Sequence, residues 1–101
     1  MMSLMAIMLF VGNVEEISPA ARDAATKIVD AVAYKIGTNG PASCEITATS
    51  GYALIDYSTC KNAVACAVQN RNEEKRATCI ATKREKLIGA VAKMVVKNKL
   101  R

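Results

Sequence analysis

The chain has 101 residues and a net charge of +5, which fits one small domain with a basic surface. Apolar residues make up 51% of it, too many for a disordered chain, whereas aromatic residues make up only 4%. The absence of His excludes Ser-His-Asp triads, catalytic Cys–His pairs and His-based metal sites.

The N-terminal segment, residues 1–17, opens with the uncharged apolar run MMSLMAIMLFVG. This run is too short to cross a bilayer as a helix, which takes about 20 residues. It is typical of the apolar region of a secretory signal peptide, although no Lys or Arg precedes it and no small-residue cleavage site follows closely. Two interpretations stay open: a truncated or atypical signal peptide, or the first buried element. Residues 18–101 are predicted to form a single domain.

A first helix is predicted from Pro19 to Ile36. Ser18 fits its N-cap and Pro19 its first position. Apolar residues recur at helical spacing along one stripe: Ala21, Ala24, Ala25, Ile28, Val32 and Ile36. Gly37 would end the helix, and a turn over residues 38–41 would follow.

A first β-hairpin is predicted from alternation of period two. Residues 44–49 would pair with residues 52–57 across a Ser50-Gly51 loop, which gives one coherent apolar face. That register also sets Glu45 against Asp56, a mildly unfavourable pair of like charges.

A second hairpin is predicted from residues 64–69 and 76–81, joined by the polar run between them. With the turn centred at Asn72-Glu73, Cys66 falls directly opposite Cys79. The competing interpretation is helix, because both segments contain good helix formers.

The last predicted element is a basic amphipathic helix from Lys83 to about Lys99, with a T-x-x-E capping box at Thr82 and Glu85. Residues 83–101 hold seven Lys or Arg and one Glu, whereas residues 1–82 hold seven basic and eight acidic residues. The apolar stripe comprises Leu87, Ile88, Val91, Met94 and Val95. The candidate contacts to an anionic surface are Lys83, Arg84, Lys86, Lys93, Lys97 and Arg101.

The four cysteines follow the spacing C-x15-C-x5-C-x12-C, without a C-x-x-C pair. An even number in a small, weakly cored chain indicates two disulfides and an oxidising compartment. Three pairings are open; the hairpin register favours Cys66–Cys79 and leaves Cys44–Cys60. Four reduced cysteines and a zinc site are the alternatives.

The sequence therefore predicts a small, disulfide-stabilised α+β domain with an N-terminal helix, two antiparallel β-hairpins and a basic C-terminal helix. We expect a secreted, non-enzymatic cationic protein without a cofactor or metal, which binds an anionic membrane or glycan in a host-defence or toxin-like role. The basic residues would attract the surface, and Leu87, Val91 and Val95 would be buried in it.

Other interpretations of the basic, amphipathic C-terminal helix stay open. The protein could be a protein-binding module, such as a secreted inhibitor or a subunit of a homo-oligomer, with the apolar stripe as its interface. An intracellular nucleic-acid binder with reduced cysteines is disfavoured, because no aromatic residues interleave with the basic ones. The basic residues could also serve only to complement the helix dipole while the stripe packs on the sheet.

Overall fold

A computed structural model describes residues 17–37 and 40–100 of the chain. Its elements are α1 (Pro19–Asp30), β1 (Ala33–Gly37), β2 (Ser43–Ala48), α2 (Ala53–Gln69) and α3 (Glu73–Val96). The predicted α+β class is confirmed, and these described residues contain one β-hairpin where the sequence predicts two. Apart from Ile17, the predicted N-terminal segment lies outside the described residues.

Helix α1 begins where the sequence predicts. The Ser18 hydroxyl accepts a hydrogen bond from the Ala21 N–H at 3.1 Å, and Pro19 occupies the first turn. The buried face carries Ala21, Ala25 and Val29. These small side chains let α1 approach its neighbours closely.

The predicted end of this helix at Ile36 is wrong, because α1 ends at Asp30 and β1 follows. Val32, Tyr34 and Ile36 are half-buried and alternate with exposed neighbours, the period-two pattern of a strand. β-branched and aromatic side chains favour this extended conformation. Val32 and Ile36 also fit the spacing of a helical stripe, and this coincidence conceals the strand in the sequence.

The two-stranded sheet pairs β2 with β1 and not with residues 52–57, so the predicted first hairpin has the right strand and the wrong partner. The antiparallel register sets Lys35 beside Glu45 and Ile36 beside Cys44. The opposite charges of Lys35 and Glu45 suit directly paired positions, in contrast to the predicted pairing of Glu45 with Asp56.

The second predicted hairpin is wrong, and the competing helical interpretation is correct. Residues 64–69 end α2, and residues 76–81 lie inside α3. Helix α3 begins at Glu73, before the predicted Thr82 cap, because the Asn72 side chain accepts a hydrogen bond from the Lys75 N–H at 3.1 Å. Glu73 and Glu74 then complement the positive end of the helix dipole.

Helices α2 and α3 form an antiparallel helical hairpin across a short connection. The Cys66–Cys79 disulfide joins the end of α2 to the start of α3, with 5.7 Å between the Cα atoms. The Cys44–Cys60 disulfide joins β2 to α2, with a Cα separation of 5.6 Å. The predicted pairing is thus confirmed, although Cys66–Cys79 links two helices and not a strand pair, and no cysteine is free.

The core lies where α3 packs against α1 and α2. Its members are fully or almost fully buried: Ala25, Val29, Ile55, Ile88, Val91 and Ala92. None is aromatic, so each contributes a small buried area and the hydrophobic stabilisation is modest. The disulfides therefore carry a large share of the stability of this domain.

We expect the double variant Cys66→Ala/Cys79→Ala to lose about 3 kcal/mol of unfolding free energy. The bond spans a sequence separation of 13, and the loss of chain entropy on closing a loop of about 15 residues is worth about 3 kcal/mol. Urea denaturation followed by circular dichroism measures the loss. Cys44→Ala/Cys60→Ala closes a comparable loop, with a sequence separation of 16 against 13, and serves as the matched variant. A loss below about 1 kcal/mol in both variants would show that the core is sufficient without either bond.

Candidate functional site

The basic residues of α3 do not act alone, because α2 brings a further lysine beside them. An open depression of about 350 Å³ lies between the two helices. Lys61 of α2 faces Lys83 and Lys86 of α3 across it, and Ser58, Asn62 and Leu87 complete its lining. No Asp or Glu belongs to this described lining. We call this group the lysine depression.

The three lysines of the depression make no ion pair or hydrogen bond within the part of the chain that the structure describes. Lys61 has one weak contact, with its Nζ atom 6.0 Å from the centroid of the Tyr57 ring. Their charges repel one another, so a bound anion lowers the electrostatic energy of the site. The arrangement can attract anions.

Arg84 is engaged elsewhere. Its guanidinium donates to both carboxylate oxygens of Asp30 in α1 at 2.8 Å, and it also pairs with Glu85 at 3.3 Å. Arg22 of α1 pairs with the same Glu85. Two arginines and two acids thus form a neutral network that links α1 to α3, and little of Arg84's charge remains for an external anion.

The other predicted contacts are spread along the chain. Lys93 is exposed on α3, about 10.5 Å or two turns beyond Lys86. Lys97 caps the C-terminus of α3. Arg101 lies outside the described residues. The structure therefore brings together two of the six predicted residues, Lys83 and Lys86, and adds Lys61, which the sequence reasoning missed.

The predicted apolar stripe of α3 faces the interior. Val91 is fully buried, and Leu87 and Val95 are half-buried against the core. These side chains stabilise the fold, and Leu87 also lines the open lysine depression.

Helix α2 exposes apolar side chains in their place. Leu54, Tyr57 and Val68 are 62%, 63% and 67% exposed. Their spacing places them with Lys61 on one side of the helix, while Ile55, Ala63 and Cys66 are buried on the other. We call Leu54, Tyr57 and Val68 the α2 stripe. The helical spacing of these three residues is present in the sequence, but the predicted strands over residues 52–57 and 64–69 place them in two separate hairpins.

None of the helices in residues 17–37 and 40–100 combines the length and the apolar character needed to span a bilayer.

Comparison of the chain with protein-family models, with curated proteins and with solved structures gives no match.

The start of α2, and with it the α2 stripe, is positioned by Asp56. Its carboxylate accepts hydrogen bonds from the Thr49 hydroxyl, from the Ser50 N–H at 2.9 Å and from the Ser50 hydroxyl at 2.7 Å. These bonds lower the pKa of Asp56 below its ordinary value of 3.8. Gly51 completes the turn with φ +92°, a conformation that favours glycine.

We expect Asp56→Asn to lower stability at pH 7, because the uncharged amide is a weaker acceptor for these three donors. A carboxylate whose pKa is depressed on folding stabilises the fold above pH 3.8, and this contribution is lost as pH falls through the lower folded value. The gap between wild type and variant should therefore narrow in acid. Thermal unfolding at a series of pH values from about 2 to about 7 measures this difference in stability, because an Asp carboxylate titrates within that range.

Asp23→Asn is the matched control for this prediction, because Asp23 makes only an exposed i,i+4 pair with Lys27 at 3.5 Å. It should leave stability nearly unchanged. An Asp56→Asn protein as stable as wild type at neutral pH would contradict the role assigned to this carboxylate.

Proposed function

We propose that the protein is a secreted, non-enzymatic cationic protein that binds anionic lipid surfaces in a host-defence or toxin-like role. The observation that carries the proposal is the position of Lys61, which lines the lysine depression with Lys83 and Lys86 and also lies beside the α2 stripe, 6.0 Å from the Tyr57 ring centroid. A cationic cluster beside an apolar strip is the combination by which helices adsorb to the interface of a bilayer.

The two parts of this surface contribute different energies. Each lysine near an anionic membrane contributes about 1 kcal/mol, so the lysine depression supplies about 3 kcal/mol. The α2 stripe adds burial of Leu54, Tyr57 and Val68 at about 25 cal/mol per Å². Tyr57 suits the headgroup region, because its ring is apolar and its hydroxyl is polar.

The α2 stripe also favours a membrane over a glycan or a nucleic acid. A sulfated glycan would pair with the lysines but would leave Leu54 and Val68 in water. Binding of single-stranded nucleic acid relies on stacking against several aromatic rings, and the whole chain has one Phe, three Tyr and no Trp.

Secretion is supported by the cysteines. All four are paired in two disulfides, which form and persist in oxidising compartments. Small extracellular domains use such bonds to compensate for a limited core.

A second candidate is a protein-binding module, and the α2 stripe is the observation that favours it. Exposed Leu and Tyr side chains at helical spacing also fit a protein interface, including that of a second copy of this chain. A dimer whose stability does not change with salt would support this function.

Co-sedimentation with vesicles tests the first proposal. We expect wild type to bind vesicles that contain phosphatidylserine and not vesicles of phosphatidylcholine alone, with affinity that falls as salt rises. Lys61→Gln/Lys83→Gln/Lys86→Gln should weaken binding about a hundredfold, since about 3 kcal/mol of attraction is lost. Leu54→Ser/Tyr57→Ser should also weaken it.

Lys27→Gln/Lys35→Gln/Lys75→Gln is the matched control, with the same change in net charge on α1, β1 and the start of α3. It should retain most of the binding. Equal binding to both vesicle types, or an equal loss in the two lysine variants, would contradict a localised anionic-lipid surface. Binding to heparin without binding to either type of vesicle would contradict a lipid partner and would indicate a glycan partner.

A further inference from the structure

A second, more enclosed cavity adjoins the lysine depression. It has a volume of about 200 Å³ and lies among the end of α1, β1, α2 and α3. Its walls are mainly apolar: Val29, Val32, Tyr34, Ala63, Ile80 and Leu87. We call it the apolar cavity.

The apolar cavity and the lysine depression share a wall. Asn62 of α2 and Leu87 of α3 line both of them. The two cavities are therefore neighbours, and a molecule that crosses Asn62 and Leu87 from one to the other would have one end among the lysines and the other among apolar side chains.

The polar and charged residues of the two cavities favour an anionic group at the lysine depression only. Ser58 and Asn62 make no side-chain hydrogen bond within residues 17–37 and 40–100, so both are available to a ligand. At the rim of the apolar cavity, the ion pair of Arg84 with Asp30 neutralises both groups. The uncompensated positive charge is thus on the lysine side alone.

We infer that this pair of cavities binds one molecule of a single-chain anionic amphiphile, of the fatty-acid class. Its carboxylate lies among Lys61, Lys83 and Lys86, and its alkyl chain enters the apolar cavity past Leu87. Cavities of about 150 Å³ with apolar walls take up benzene, so a cavity of about 200 Å³ accommodates a short alkyl chain or one ring.

This ligand site goes beyond the proposed function, because it requires no membrane. It shares the three lysines with the lipid surface but uses the apolar cavity in place of the α2 stripe. The two proposals can therefore fail independently.

Calorimetric titration with octanoate and with octan-1-ol, both below the concentrations at which they aggregate, tests the inference. We expect octanoate to bind about tenfold more tightly, because only its carboxylate forms charge-assisted interactions with the lysines. Amide shifts in the NMR spectrum should cluster at Tyr34, Asn62 and Leu87.

Variants separate the two ends of the ligand. Lys61→Gln/Lys83→Gln/Lys86→Gln should weaken octanoate about tenfold and leave octan-1-ol within about twofold. Thr59→Leu, which places a larger side chain in the apolar cavity, should weaken both compounds. Leu54→Ser/Tyr57→Ser, which removes two residues of the α2 stripe, should leave both affinities unchanged.

Equal affinity for octanoate and octan-1-ol would overturn the inference, as would amide shifts centred on the α2 stripe. Undiminished octanoate binding by a folded Thr59→Leu protein would also overturn it. If Thr59→Leu does not fold, the lysine variant decides, since it changes only side chains at the surface depression.

Discussion

The structure depends on two disulfides that link α2 covalently to the rest of the domain. Cys60 holds this helix to β2, and Cys66 holds it to α3. The largest fully buried side chains are Ile55, Ile88, Val91 and Cys66, so apolar burial by itself contributes little for a domain of this size. Covalent attachment means that α2 needs to bury only one face. Its other face can then keep apolar side chains in water, where a partner can reach them.

The antiparallel direction of α2 and α3 decides where the charge gathers. The bond near their connection sets the alignment, and Lys61 then falls opposite Lys83 and Lys86. Arg84, on another side of α3, is neutralised by Asp30 and ties α1 to the same helix. In α3, Arg84 thus stabilises the packing on α1, whereas Lys83 and Lys86 beside it in sequence produce a positive potential at the surface.

The sequence was sufficient for features with a local physical cause. The Ser18 cap and strand β2 follow from residue types and spacing. Cys66–Cys79 was also predicted, although from a strand register that does not exist, and Cys44–Cys60 was the pair that remained. Residues 64–69 alternate in a strand-like way and consist of good helix formers, so tertiary packing decides between the two. Lys61 could not be assigned to the site without knowing that α2 is a helix antiparallel to α3.

We propose that anionic lipid meets one face of the helical hairpin, formed by the lysine depression and the α2 stripe. Paramagnetic relaxation enhancement from vesicles doped with a gadolinium-chelating lipid tests it most directly, because broadening of each amide signal reports its distance from the bilayer. We predict the strongest broadening around Leu54, Tyr57 and Lys61, with Lys83 and Lys86, and little along α1. Broadening centred on α1 or on the β-hairpin, or uniform broadening over the whole chain, would contradict it.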